Sequence, residues 1–374
     1  MNNREFVAIG VKPGAVLESQ SGLQMNWPKV FGVLAGPTSG KVGAIVMHPS
    51  SNFMGHYLLD PLVQRGVSLL ALNSRYAGND STLLMEQVIQ DLGAGVRYMR
   101  ERFDRVFLIG NSGGAALCAF YQAQAENLDF DTTPAGDHID VDPSDLPPTD
   151  GIALLAAHPG RATLIRNWID PSVISERDPT GSNAELDVFA SQNGPPFSEE
   201  FLSQYRATQK TRIDEITQRV RRRLTEIRSL NNGPRDEAFI VYRTYADPRF
   251  VDLSLDPNDR QPGGNRGDSA RAVNYGTNNL ARFTTLTSWL SQWSPNSRAD
   301  GPASLARTSV PVLQLEYTAD GSVFPCDIRA WRTAAGAREE YHAIKGANHY
   351  LKGQPELLEE VADRVVEWSR RSLI

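Results

Sequence analysis

The chain has 374 residues, of which 40% are hydrophobic and 22% are charged, as in an ordinary globular protein. A single core seldom grows beyond about 250–300 residues, so we expect one compact domain that carries a large insertion. The formal net charge of -6 excludes the overall basic field that would attract nucleic acid or anionic lipid.

Strands and helices are predicted to alternate between residues 42 and 125. Short apolar runs at 42–47, 67–72 and 106–109 have the composition of strands that are buried on both faces of a sheet. Helical patterns lie between and after these runs, at 57–64, 83–103 and 115–125. This order predicts an α/β fold with a doubly wound, mostly parallel sheet.

The rest of the chain interrupts this alternation and then resumes it. Residues 129–150 are rich in Asp and Pro and indicate a surface loop, and residues 151–157 indicate a further strand. Residues 161–308 alternate less clearly and contain helical patterns at 198–230 and 280–293. Strands at 310–317 and 340–344 and a helix at 355–369 follow. We therefore predict one domain from residues 1–160 and 309–374, and a mainly helical cap from residues 161–308.

Ser112 lies in the pattern Gly-x-Ser-x-Gly, between a predicted strand and a predicted helix. This context is typical of a nucleophile elbow, a strained turn that exposes the serine hydroxyl above the edge of a sheet. Gly110 and Gly114 are small enough for such a tight turn. A glycine-rich turn with an incidental serine is the alternative, and the flanking strand and helix disfavour it.

A serine hydroxyl needs a base to become a nucleophile at neutral pH. His349 follows the last predicted strand, where such a base is expected. The base needs a carboxylate to orient it, and Asp320 follows the penultimate strand, while Asp327 lies further away. The chain order Ser112, Asp320, His349 is the order expected on this type of sheet. We predict Ser112 as nucleophile, His349 as base and Asp320 as the orienting carboxylate.

The negative charge that develops on the substrate oxygen needs two hydrogen-bond donors. The backbone N–H of Gly113, directly after the serine, is the first. The second is expected from the loop after strand 42–47, where Pro49 has no N–H. Ser50 or Ser51 must then supply the second donor, and we favour Ser50.

Three further side chains are predicted to bind substrate. His48 and His158 each stand at the end of a predicted strand, where a side chain can line the pocket. Trp289 belongs to an aromatic segment of the predicted cap, and packing inside the cap is its alternative role.

These motifs together resemble the α/β-hydrolase superfamily of the serine-nucleophile type. The likeness covers about residues 40–127, 151–160 and 309–374, and rests on HPSSNF, RGVSLLALNSRYAGNDS, GNSGG, YTADGSVFP and GANHY. It implies that residues 1–160 and 309–374 form an α/β-hydrolase catalytic domain. In one departure, Pro49 follows His48 where the family usually has Gly. The resemblance names no substrate for the cap at 161–308.

The predicted reaction is hydrolysis of a carboxylic ester, lactone or thioester through an acyl-enzyme. A carbon–carbon bond hydrolase and an acyltransferase that use the same triad are alternatives. A non-catalytic ligand-binding protein of this fold is the alternative from another class, and the presence of all three candidate residues argues against it. The aromatic residues of the cap indicate a small-molecule, ester-like substrate with a bulky hydrophobic acyl group or ring. We predict no metal and no cofactor, and at most a second copy of the chain, as a homodimer, for a protein partner.

The two cysteines do not form a disulfide framework, and no Cys–His cluster has zinc spacing. No basic region followed by an apolar stretch opens the chain, and no run approaches the roughly 18 apolar residues of a membrane span. These features predict no membrane association and a cytoplasmic location.

Overall fold

The computed structural model describes residues 4–14, 27–267, 269–277 and 279–374. The strands are β1 (Arg4–Gly10), β2 (Lys29–Ala35), β3 (Gly40–His48), β4 (Ser68–Asn73), β5 (Phe103–Asn111), β6 (Gly151–Leu155), β7 (Val173–Ser175), β8 (Asp178–Ser182), β9 (Ala238–Ile240), β10 (Phe283–Thr285), β11 (Val312–Tyr317) and β12 (Glu339–Ile344). The α-helices are α1 (Leu59–Gln64), α2 (Met85–Arg100), α3 (Gly114–Glu126), α4 (Arg161–Trp168), α5 (Glu199–Ser229), α6 (Ala270–Tyr275), α7 (Leu286–Gln292), α8 (Gly301–Leu305), α9 (Pro325–Ala335) and α10 (Pro355–Leu373).

A central sheet of eight strands has the order β1-β2-β4-β3-β5-β6-β11-β12. Neighbouring strands are parallel from β4 to β12, and β2 pairs antiparallel with both β1 and β4. The predicted doubly wound, mostly parallel sheet is therefore confirmed. Because the carboxyl ends of parallel strands meet at one edge, the loops after β3, β5, β6, β11 and β12 all reach the same side of the molecule.

Helices cover both faces of this sheet. Successive strand residues point to opposite faces, so Ile45 packs with α2 and α3, whereas Val46 packs with α1 and α10. Trp368 of α10 lies edge-on against Phe107 of β5, with 5.6 Å between the ring centroids. Burial on both faces explains why these strands are continuous apolar runs in the sequence.

Two boundary predictions were wrong. Helix α2 ends at Arg100 rather than at residue 103, because Phe103 already pairs with Gly40 as the first residue of β5. The segment 280–293 is not a single helix, because Phe283–Thr285 forms β10 against β9 and only then does α7 begin. Thr285 caps α7 by accepting a hydrogen bond from the Ser288 N–H, which starts the helix there.

The segment between β6 and β11 has its own apolar core. Ile213, Ile216, Val220, Leu224 and Ile227 form a buried stripe on α5 and pack with α7. Ser198 accepts a hydrogen bond from the Phe201 N–H and caps α5. At the end of the segment, Ala299 and Leu305 pack into the core beneath the main sheet. The division at residues 161 and 308 stays a prediction.

Within the described ranges, no helix is both long enough and apolar enough to cross a bilayer.

Candidate active site

Ser112 occupies a strained turn between β5 and α3. Its backbone φ of 56° lies in the left-handed region, which costs energy for a residue with a side chain. Two hydrogen bonds tie the turn to the end of β6 and the loop after it: the Ser112 N–H donates to Leu155 O at 3.1 Å, and the Ser112 carbonyl accepts from the His158 N–H at 3.2 Å. A Cβ on Gly114 would lie 2.4 Å from the Met47 carbonyl oxygen, so only glycine fits beside β3.

Three side chains from three loops form one hydrogen-bonded line. His349 Nε2 lies 2.9 Å from Ser112 Oγ, and His349 Nδ1 lies 2.6 Å from Asp320 Oδ2. The other carboxylate oxygen of Asp320 accepts from the backbone N–H groups of Ser322 and Val323. All three members of the line are buried. With Nδ1–H donating to Asp320, Nε2 is free to accept the proton of the serine hydroxyl.

Gly113 carries the first expected oxyanion donor, and this role stays a prediction. The Gly113 N–H directly follows the serine at the amino end of α3 and donates to no other group within the described ranges. Gly113 lies in the wall of the pocket beside Ser112.

The second expected donor requires a correction. The Ser50 and Ser51 N–H groups both point at the His48 imidazole and donate to Nδ1 at 3.1 and 2.8 Å. The backbone after β3 turns back on itself at His48-Pro49, so neither amide is directed at the space above Ser112. The sequence pattern contained no signal for this turn.

A cavity of about 260 Å³ lies above Ser112. Its walls are formed by the loops that follow the strands and by the segment between β6 and β11. The lining residues are His48, Ser50, Ser51, Gly78, Asn79, Asp80, Ser112, Gly113, His158, Arg161, Leu164, Trp168, Asn265, Arg266, Asn279, Leu280 and Tyr350. His48 and His158 both belong to this wall, and their binding of substrate stays a prediction. A larger cavity of about 740 Å³ adjoins this one at Asn265 and Tyr350, and His349 is part of its wall.

Trp289 does not line this pocket, and this prediction is corrected. Its indole is fully buried in the core of the insertion, where Nε1–H donates to Thr217 Oγ1 at 3.0 Å. Trp289 packs with the apolar stripe of α5, as in the alternative role considered for it. Trp168, from α4, is the tryptophan at the pocket.

Both pocket histidines are held uncharged. Burial lowers the pKa of His158 well below its usual value, and His349, Arg266 and His48 lower it further. Burial likewise lowers the pKa of His48, with added effects of Arg161 and Arg266. His158 Nδ1 is buried and has no hydrogen-bond partner among the described residues.

Arg161 is a pocket residue that the sequence analysis missed. Its guanidinium donates to Ser50 Oγ at 2.5 Å and pairs with Asp80 at 2.7 Å, and it also donates to Gln292. It thus connects the loop after β3 with α7. The only signal in the sequence is its place directly after His158-Pro159-Gly160, at the end of β6.

The parallel sheet, the elbow at Ser112 and the loop positions of Asp320 and His349 define the class: the chain has the α/β-hydrolase fold. It is similar to the α/β-hydrolase GrgF from Penicillium sp. sh18, with 11% identity, 99% of each chain covered and a TM-score of 0.52. It is also similar to DcsB, solved in complex with a substrate analogue, with 12% identity, 99% and 100% coverage and a TM-score of 0.54.

The esterase domain of a Rhodothermus marinus protein matches with 12% identity, 99% and 98% coverage and a TM-score of 0.47. No protein-family model and no curated protein matches the sequence. At such low identity, a likeness between structures establishes the fold and not the activity.

Proposed function

We propose that this protein is a serine hydrolase that cleaves a carboxylic ester, lactone or thioester through an acyl-enzyme on Ser112. The observation that carries the proposal is the line of hydrogen bonds from Ser112 Oγ through His349 to Asp320, with lengths of 2.9 and 2.6 Å. Such a line is the arrangement that lets a neutral hydroxyl become a nucleophile.

The proposed reaction has two stages, acylation of Ser112 and hydrolysis of the acyl-enzyme. Ser112 Oγ attacks the acyl carbonyl carbon while its proton passes to His349 Nε2, and the Asp320 carboxylate stabilises the resulting imidazolium. The Gly113 N–H donates to the oxygen that becomes negative. His349 then gives the proton to the leaving alcohol or thiol as the bond to it breaks. A water molecule, deprotonated by His349, releases the acyl group and restores Ser112.

The residues that line the pocket indicate the kind of substrate it can hold. Leu164, Trp168 and Leu280 offer apolar contact, and this supports part of the predicted hydrophobic character. Side chains with hydrogen-bonding groups are more numerous, and they include His158, whose Nδ1 has no hydrogen-bond partner among the described residues. We therefore propose a small substrate that has a polar group beside its apolar part. A cavity of about 260 Å³ suits a small acyl group, and the adjoining larger cavity suits the other half of the substrate.

A carbon–carbon bond hydrolase or an acyltransferase would use the same three side chains. A leaving carbanion is a poorer leaving group than an alkoxide or thiolate, so esters and thioesters are favoured. An acyltransferase needs an acceptor that competes with water, and activity with and without added alcohols separates it from a hydrolase.

The test combines a substrate screen with labelling of the nucleophile. Acyl esters of graded chain length, simple lactones and thioesters should reveal turnover, and a fluorophosphonate should label Ser112. Ser112→Ala should lose both turnover and labelling. Ser203→Ala, at an exposed position on α5, is the control and should behave like the wild type.

Two outcomes would reject the proposal. One is turnover that persists in Ser112→Ala, because another nucleophile would then carry the reaction. The other is a folded wild-type protein that reacts with neither substrate nor fluorophosphonate, which would favour the non-catalytic ligand-binding alternative.

A further inference from the structure

His48 is held in one tautomer by the loop that follows it. Its Nδ1 accepts hydrogen bonds from two backbone amides, those of Ser50 at 3.1 Å and Ser51 at 2.8 Å. An imidazole nitrogen that accepts hydrogen bonds carries no proton. The proton of the neutral ring is therefore on Nε2, and Nε2–H is a donor.

This Nε2 lies beside the nucleophile elbow. A Cβ built on Gly113 would come within 2.7 Å of His48 Nε2, closer than to either neighbouring ring carbon. His48, Ser112 and Gly113 line the same cavity. No group in the described part of the chain accepts a hydrogen bond from Nε2, so this donor is available in the pocket.

The ring is preorganised. Ser50, whose N–H anchors the imidazole, also accepts a hydrogen bond from Arg161, and Arg161 is itself paired with Asp80. The ring of Phe53 packs against His48 with 5.3 Å between centroids. A donor that is fixed before the reaction stabilises developing charge without a cost of reorganisation.

We propose that His48 Nε2–H is the second donor of the oxyanion hole and acts with the Gly113 N–H in place of a backbone amide of the loop. The proposal rests on the proposed function, because it concerns the oxyanion formed when Ser112 attacks an acyl carbon. It also accounts for the amides of Ser50 and Ser51, which position the ring instead of the substrate. The lowered pKa of His48 is consistent with a neutral donor that does not titrate near pH 7.

Two substitutions separate the Nε2–H donor from the anchor, which is the pair of hydrogen bonds that Nδ1 accepts from Ser50 and Ser51. In His48→Asn, Oδ1 can take the place of Nδ1 and accept from the Ser50 and Ser51 amides, but no atom replaces Nε2. In His48→Gln, the side-chain amide can reach the position of Nε2 and donate, but the anchor at Nδ1 is lost. Thermal unfolding and circular dichroism show whether each variant is folded.

The measurements are kcat and KM on an ester from the screen, and the inhibition constant of a trifluoromethyl ketone, which forms a tetrahedral oxyanion on the serine. Removing one oxyanion donor typically lowers kcat by about 10²–10³-fold. We expect that loss in His48→Asn, with KM changed by less than about threefold and ketone binding weakened in parallel with kcat. His48→Gln should recover about tenfold or more of the lost kcat.

The opposite pattern would overturn the proposal. If His48→Asn keeps the kcat and the ketone affinity of the wild type, the ring is only an anchor. If His48→Gln is less active than His48→Asn, the hydrogen bonds to Nδ1 matter more for kcat than the Nε2–H donor does. Both results leave the role of Ser112 intact when Ser112→Ala is inactive, whereas an active Ser112→Ala rejects the proposed function itself.

Discussion

Ser112 and His349 are 237 positions apart in the chain, yet Ser112 Oγ and His349 Nε2 lie 2.9 Å apart. The sheet brings them together, because β5 and β12 end at the same edge and each is followed by a short loop that presents one of the two side chains. Asp320 approaches His349 from the loop after β11, the strand beside β12. The same edge therefore supplies the nucleophile, the base and the carboxylate.

Replacing the carboxylate of Asp320 tests its role without a change of shape. In Asp320→Asn, the amide oxygen can still accept from the Ser322 and Val323 N–H groups, so the NH₂ group faces His349 Nδ1. Nδ1 must then accept a hydrogen bond, the proton moves to Nε2, and Nε2 can no longer take the proton of Ser112. We expect kcat to fall by about 10⁴-fold while the protein remains folded. Steady-state kinetics and thermal unfolding check this, and a loss of less than tenfold would contradict it.

Two adjacent glycines should respond differently to alanine. A Cβ on Gly114 would lie 2.4 Å from the Met47 carbonyl oxygen, and the backbone of a central strand cannot move away. We expect Gly114→Ala to lower the free energy of unfolding by roughly 1–3 kcal/mol.

A Cβ on Gly113 would instead meet the side chain of His48, and a shift of this ring disturbs the fold less than a shift of strand backbone. Gly113→Ala should therefore cost less stability but lower kcat by about tenfold or more, since small displacements of a catalytic group are costly. Urea unfolding and kinetics of both variants test the contrast. Equal effects of the two substitutions on stability and on kcat would contradict it.

The two tryptophans of the insertion should also differ. Trp289→Phe removes the hydrogen bond to Thr217 and leaves a gap in the core between α5 and α7. We expect the free energy of unfolding to fall by about 2 kcal/mol, with kcat/KM unchanged.

Trp168 lines the pocket, packs edge-on against His158 and has no partner for Nε1 among the described residues. Trp168→Phe should therefore cost less stability and change KM several-fold. A shift of KM in Trp289→Phe that equals the shift in Trp168→Phe would place Trp289 at the substrate after all.

Stability should fall on the acid side of pH 6.5. Burial lowers the pKa of His56 to about 4, because the enclosed ring loses the hydration that would stabilise its charged form. The hydrogen bond from Nε2 to Asn111 Oδ1, 3.2 Å long, offsets only part of this shift. The unfolded chain takes up a proton on this residue near its usual pKa of 6.5, whereas the folded protein does so only near pH 4. The stabilising contribution is thus present above pH 6.5 and is lost as pH falls toward 4, by up to about 3 kcal/mol.

His48 and His158 have lowered pKa values as well and add to the same slope. Urea unfolding between pH 7.5 and pH 4.5 should show the decline, and His56→Gln should make it shallower without abolishing it. An unchanged slope in His56→Gln would show that His56 does not contribute.

Local patterns in the sequence determine much of the fold and the place of the candidate triad. Apolar runs that are buried on both faces must form the inner strands of a parallel sheet, and parallel strands must end at a common edge. Ser112 and Asp320 follow two such runs, and His349 follows the more polar edge strand β12, so their positions predict that the three residues meet. Helix α5 was equally predictable, because its cap and its apolar stripe are both local features.

Other features depend on how the segments fold against each other. The path of the loop after β3 decides whether the amides of Ser50 and Ser51 face the substrate or His48. A change in a single backbone dihedral angle of this loop would turn an amide from one to the other. Which of the two tryptophans, Trp168 or Trp289, reaches the pocket depends on how their helices pack. Both belong to apolar helical patterns, so the sequence pattern does not distinguish them. Hydrogen-bond directions and the burial of polar groups such as Arg161 arise only when distant segments pack, so the tertiary structure alone decides them.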